Sequence, residues 1–270
     1  MNSITTLDSR KKNMTPIRLG INRFAGPVVM CVLVIFIACG CTRQEDQSGY
    51  PGYRSRATTD STSSGRVYLG REIASVVDHN DIVEWLERPS RRDSELPDRL
   101  VNALEIRPSW HVADIGAGTG YFSFRLSPLV PSGRVYAVDI QQEMLNVIQA
   151  KSDSLGVRNV SVVLGDEQDP RLPEAKIDLA LIVGSYHEFY YPYEMMTSIV
   201  ESLVPGGRVV LVEYRKEDTT IDVPDAHRLT REQMVQEMEE VGLRFRTAHD
   251  ILPQQHFLVF EKPVPNPSHG

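Results

Sequence analysis

From position 110 onward, short apolar runs rich in β-branched residues alternate with stretches whose apolar residues recur at helical spacing. The runs at 111–115, 134–140, 160–164, 177–183 and 208–214 are rich in Val, Ile, Leu and Ala, the pattern of strands covered on both faces. Helices are predicted between them at 121–127, 142–155 and 192–203. Such alternation implies right-handed crossovers and a mainly parallel sheet with helices on both sides. The rhythm breaks near the end, where Thr230-x-x-Gln233 forms a capping box that opens a helix to 241. Two strand-like runs follow, 243–252 and 256–262, with only Pro253-Gln254-Gln255 between them. A link that short makes them pair antiparallel, because a parallel crossover needs a dozen residues or more.

The segment ahead of position 110 is organised differently. Two helices are predicted at 80–87 and 95–105, the second with Leu96, Leu100, Ala103 and Leu104 on one face. Residues 42–65 are rich in Ser, Thr, Gly, Asp and Arg with almost no aliphatic side chain, which predicts a flexible tether. Residues 1–41 carry Arg10, Lys11, Lys12, Arg18 and Arg23 against one acid, Asp8, all ahead of an apolar run at 28–39. A run of about a dozen residues is too short for a stable span, which needs roughly 20, and has the form of a secretory signal core. It ends at Ala38-Cys39-Gly40-Cys41, similar to a bacterial lipoprotein processing site. The expected organisation is therefore a membrane-targeting segment (1–41), a linker (42–65) and one folded domain (66–270). The expected location is at a membrane, with lipid on Cys41 or Cys39 or with the segment kept as an anchor.

Charge and thiol content narrow the chemistry. Beyond residue 41 the chain keeps 24 basic and 35 acidic residues, a balance of −11 that disfavours a phosphate-binding surface, so nucleic acid is not an expected partner. Cys31, Cys39 and Cys41 all precede the domain, which excludes disulfides, thiolate metal sites and cysteine nucleophiles from it.

The most informative stretch is Asp114-Ile-Gly116-Ala117-Gly118-Thr-Gly120-Tyr121, which leaves a strand, turns through glycines and enters a helix. Glycines there permit positive φ and bring a ligand against bare backbone. A dinucleotide loop wants G-x-G-x-x-G, and its third glycine would fall at 121, where this chain has Tyr121. A second strand ends in Asp139-Ile140, 19 residues after Gly120, where a carboxylate can accept from both hydroxyls of a ribose; a helix cap is its plain structural role. Gly165-Asp166 closes the next strand, and Pro205-Gly206-Gly207 precedes the fifth.

In this order, these four elements resemble the class I S-adenosylmethionine-dependent methyltransferases over most of 96–262. The resemblance implies a Rossmann-like, seven-stranded, mostly parallel sheet with strand order 3-2-1-4-5-7-6. It implies S-adenosyl-L-methionine as cofactor, cradled by Gly116, Ala117, Gly118, Gly120 and Tyr121, with Asp114 anchoring the loop and the amino group. Asp139 and Ile140 would hold the ribose, and Gly165 and Asp166 would face the adenine. At the tip of the fourth strand, Tyr186-His187-Glu188 places polar groups where the methyl group points, with His187 as candidate general base and Glu188 or Tyr186 orienting it. A histidine bonded to backbone at the mouth is the bland account of His187. Two donors there are too few for a metal, and none is expected. Glu213-Tyr214-Arg215 and His227-Arg228 stand where they can line the same mouth, with 216–229 as a lid, although solvated charge explains most of them.

The Asn-Pro-Pro-Tyr signature of amino-methylating DNA enzymes is missing at 184–189, which leaves small organic acceptors, quinone-like or lipid molecules among them. A second reading is a non-catalytic, membrane-tethered S-adenosylmethionine- or nucleoside-binding protein, because a signal would send the domain out of the cytoplasm where this cofactor is made. The sequence leaves the oligomeric state open.

Overall fold

The computed structural model describes residues 50–265 and has an eight-stranded sheet at its centre. In chain order the elements are β1 (Tyr53–Ser55), β2 (Ser63–Tyr68), β3 (Arg71–Ala74), α1 (His79–Leu86), α2 (Arg91–Ser94), α3 (Pro97–Asn102) and β4 (His111–Ile115). Next come α4 (Ser123–Leu126), β5 (Arg134–Asp139), α5 (Gln142–Leu155), β6 (Val160–Leu164), β7 (Ile177–Val183) and α6 (Pro192–Ser202). The chain closes with β8 (Leu203–Arg215), β9 (Arg228–Leu229), α7 (Arg231–Glu240), β10 (Arg244–Ala248) and β11 (Gln255–Glu261).

The main sheet runs β6-β5-β4-β7-β8-β11-β10, which is the expected order 3-2-1-4-5-7-6. Strands β6 to β8 pair in parallel, and β11 returns antiparallel to both β8 and β10. Two-residue β9 adds an eighth strand, parallel to the end of β8 through Tyr214↔Arg228. The period of two along a strand divides the core. Leu179 and Leu181 pack on one face with Leu100, Leu126 and Phe257, whereas Ala180 and Ile182 pack on the other with Met196, Ile199 and Met238. Each such fully buried aliphatic or aromatic side chain contributes roughly 1.5–3 kcal/mol.

Two expectations are corrected here. The helix expected at 95–105 is confined to α3, Pro97–Asn102, with the separate short α2 ahead of it and Leu96 at φ 46° just before Pro97. A residue before proline is sterically pushed out of the α region, so the helix starts at the proline. The tether expected at 42–65 is, over its described part, built structure: β1, β2 and β3 form a separate antiparallel sheet. Its core is aromatic instead of aliphatic, with Tyr53, Tyr68 and Ile73 buried beside Tyr50 and Tyr193. The Arg66 guanidinium lies 4.0 Å from the Tyr53 ring centre, 4.6 Å from that of Tyr190 and 4.4 Å from that of Tyr191. Glu194 of α6 accepts from the Tyr53 hydroxyl at 2.5 Å, so this small sheet is fastened to α6.

The targeting segment and the lipidation readings at Cys39 and Cys41 lie outside the described residues. Among the described residues no helix is long and apolar enough to cross a membrane.

Candidate functional site

The glycine loop after β4 is tied to the tip of β5. The Val138 carbonyl accepts from the backbone N–H groups of Gly116 and Ala117, both at 2.9 Å, and Asp139 Oδ2 accepts from Gly118 N–H at 2.8 Å. Gly116 and Gly118 take φ values of 69° and 53°, in the left-handed region. A Cβ on Gly116 would lie 2.6 Å from the Ser185 side chain, and one on Gly118 would lie 2.8 Å from Leu86 Cδ1. The loop therefore presents bare backbone for reasons of conformation and of space.

The expected cofactor residues divide into two groups. Gly116, Gly118, Asp139, Ile140, Gly165 and Asp166 line a cavity of about 790 Å³, within the ordinary range for small-molecule sites. The others support it from behind. Asp114 is buried beneath the loop, where its Oδ2 accepts from the Ser123 hydroxyl at 2.6 Å and ties the loop to α4. Burial pushes the Asp114 carboxyl up to about 6. Ala117 packs with Ala137, Leu145 and Ile148, while Tyr121 is held between the guanidinium groups of Arg91 and Arg125 at 4.1 and 3.7 Å. Gly120 has φ 78° and abuts Phe124 and Ile148.

Asp139 combines both of its sequence readings. Its Oδ1 accepts from Gln141 N–H at 2.9 Å at the start of α5, yet the carboxylate also lines the cavity. Asp166 is turned toward its own loop, its Oδ1 accepting from Gln168 and Asp169 N–H at 2.9 Å each.

Ser185, His187, Glu188, Tyr190, Tyr214 and His227 line the same cavity, Ser185 lying beside Gly116. The orientation of His187 differs from expectation. Tyr186 points away and donates to Glu237 Oε2 at 2.6 Å, and Glu188 Oε1 is 3.8 Å from His187 Nε2, too far for a hydrogen bond. The orienting group is Glu213, fully buried in β8, whose Oε2 is 2.7 Å from His187 Nδ1 while its Oε1 accepts from Tyr186 N–H at 2.8 Å. A carboxylate can only accept, so His187 Nδ1 carries the proton it donates to Glu213, and Nε2 is left outside that bond. Burial lowers the His187 pKa, but the Glu213 charge and hydrogen bond outweigh it, and the net direction is upward. Burial pushes Glu188 up to about 7. His227 is pushed down to about 4 by burial and by its neighbour His187.

Sequence reasoning placed Glu213 where it can line the mouth, with solvated charge accounting for most of that group, and missed its contact with His187, because alternation along β8 does not reveal what covers its end. It also missed the wall contributed from upstream, including Thr62, Val77, Ile82 and Trp85. Apolar residues near a helix start were the one available signal for that wall.

Residues 112–207 match the family described as methyltransferase domain. An uncharacterized 37.1 kDa protein in transposon TN4556 of Streptomyces fradiae is 30% identical over 176 residues, covering 61% of this chain and 50% of that protein. The ubiquinone/menaquinone biosynthesis C-methyltransferase UbiE of Pseudomonas paraeruginosa is 33% identical over 118 residues, 43% of this chain and 46% of that protein. The chain thus spans about half the length of these curated relatives. Among solved structures, a SAM dependent methyltransferase from Aquifex aeolicus superposes with a TM-score of 0.65 at 23% identity, over 69% of this chain and 100% of that one. Residues 112–207 thus match a methyltransferase-domain family, and the fold is that of a SAM dependent methyltransferase of known structure.

Proposed function

We propose that this chain transfers a methyl group from S-adenosylmethionine to a small-molecule acceptor held in the 790 Å³ cavity. The observation that carries the reading is that one cavity is lined both by the glycine loop and Asp139 and by His187, Glu188 and His227. The residues present suit the cofactor. Gly116 and Gly118 line the cavity with backbone alone, since a Cβ at either would run into Ser185 or Leu86, and Asp139 stands at the strand tip with its carboxylate on the same cavity. When bound, the cofactor supplies a methyl group on a sulfonium, open to attack by a nucleophile.

This chain's own residues would then position the acceptor, exclude water and take its proton. Upstream residues such as Trp85 and Thr62 and downstream residues such as Val223 and Pro224 line the same cavity, so it is walled from both directions along the chain. Ser185, His187, Glu188 and His227 supply polar groups to its wall, where a developing proton would be accepted. The substrate and the membrane-directed location are part of the same proposal.

Calorimetric titration of the full chain with S-adenosylmethionine, S-adenosylhomocysteine and NAD tests the cofactor assignment. The two adenosyl ligands are expected to bind, NAD is not, and Asp139→Ala is expected to lower adenosyl affinity at least tenfold. A folded wild-type chain that binds neither adenosyl ligand would remove the reading.

A further inference from the structure

His187, Glu188 and His227 come together from two separate segments. The first two belong to a single helical turn after β7, and His227 ends another turn at Asp225–His227, just before β9. Each offers one donor atom, and the three atoms lie within 4.8 Å of one another, the one such group among the described residues. His187 Nε2 is 3.8 Å from Glu188 Oε1, and His227 Nδ1 is 3.9 Å from the same oxygen. Both distances exceed a hydrogen bond, so the donors converge without satisfying one another. A transition ion sits about 2.0–2.2 Å from an imidazole nitrogen or a carboxylate oxygen, so donors sharing one stand roughly 3–4 Å apart; the two separations to Glu188 Oε1 meet that spacing, and the widest in the group, up to 4.8 Å, requires the two histidines to close in on binding.

Three further observations point the same way. Glu213 holds the far nitrogen of His187 at 2.7 Å, the outer-shell carboxylate that fixes the tautomer and aims the free nitrogen of a metal-binding histidine. Glu213 is itself fixed by accepting from Tyr186 N–H, and it is fully buried, so the arrangement is rigid. All three donors line the cavity, so an ion held there would be open to a ligand on one side.

We propose that His187, Glu188 and His227 bind a divalent first-row transition ion in the cavity, with Glu213 positioning His187. Two imidazoles and one carboxylate suit such ions and leave coordination positions for an outside oxygen. The chemical role of the ion rests on the methyl-transfer reading. An acceptor hydroxyl bound to the ion would lose its proton to solvent more readily, since a bound cation lowers the pKa of a coordinated O–H. The oxygen lone pair then forms the bond to the methyl carbon, and the carbon–sulfur bond breaks with its electrons passing to sulfur. The products are a methyl ether, S-adenosylhomocysteine and one proton. Under this assignment His187 Nε2 is a ligand and does not serve as the base.

The test uses the full chain, stripped with a chelator and shown to be folded by circular dichroism. Cobalt(II) is titrated in while visible absorption is recorded, with zinc(II) calorimetry in parallel. The expected result is one saturating equivalent with ligand-field bands of a nitrogen–oxygen site. His227→Gln and Glu188→Gln are expected to abolish that signal, whereas Glu213→Gln weakens affinity roughly 10–100-fold and keeps the stoichiometry. No saturable cobalt signal in the folded wild type, or a signal unchanged in His227→Gln, overturns the proposal. S-adenosylhomocysteine binding, measured on the same stripped sample, bears on the cofactor reading alone, so failure of one is distinguishable from failure of the other.

Discussion

Asp114 and Asp139 stand near the carboxyl ends of neighbouring strands, and burial treats them differently. Asp139 borders the cavity, whereas Asp114 is enclosed, and its carboxyl is pushed up to about 6 from the ordinary 3.8 by burial, with the Asp139 charge adding to the effect and Ser123 opposing it. A carboxyl whose pKa is raised on folding binds its proton more tightly in the native state. Stability is then lost as pH rises from about 4 to about 6, by up to about 3 kcal/mol, and the loss persists above that window. Asp114→Asn is expected to gain on the wild type across the same interval and to hold a constant difference above it, as measured by urea unfolding at pH 4, 5, 6 and 7. A difference independent of pH would show that Asp114 does not titrate there. The acids at 114 and 139 and the glycines between them are legible in the sequence because each is bound to a strand end and to a fixed spacing. Glu213 and His227 are not, since their roles depend on which distant side chain they meet.

The parallel strands are the most legible elements: β4, β6 and β7 fall on the expected residues, because each is a short run dominated by apolar residues. Among the helices, α5 matches its expected bounds, Gln142–Leu155, and ends at Gly156 with φ 67°. Short elements are harder to read. The β1–β3 sheet escapes a search for aliphatic alternation because tyrosines and an arginine fill its interior. The capping box of α7 is present in part, with Thr230 Oγ1 accepting from Gln233 N–H at 3.2 Å. Gln233 instead sends its side-chain amide to Glu237 at 2.7 Å. Thr230→Ala is expected to cost about 1 kcal/mol in urea unfolding, and Thr230→Ser to restore most of it. A loss below the error of the measurement would place the start of α7 under the control of packing alone.

At the scale of the molecule, one buried ion pair joins the small sheet to helix α7. Arg71 of β3 meets Glu237 of α7 through Nε at 2.8 Å and a second nitrogen at 2.9 Å, with the Glu237 side chain fully enclosed. Tyr186 and Gln233 donate to the same carboxylate, and Arg71 also donates to the His187 carbonyl at 3.3 Å. Arg71→Met leaves an uncompensated buried carboxylate and is expected to lower stability by about 3–5 kcal/mol. The double change Arg71→Met with Glu237→Met is expected to recover most of that loss, because no unpaired charge then remains at this site. A double variant no more stable than the single one would show that packing, and not charge, accounts for the cost. By itself, the sequence determined the strands of the main sheet, the glycine loop and the acid at the end of β5, whereas the strand order was implied by the family resemblance. Each follows from periodicity or spacing along a few consecutive residues, and local physics sets these. Only the tertiary structure decided that 50–74 forms a sheet, that Glu213 orients His187, and that His227 joins His187 and Glu188. Those depend on contacts across tens of residues, where chain connectivity carries no distance information and only packing brings the groups within reach.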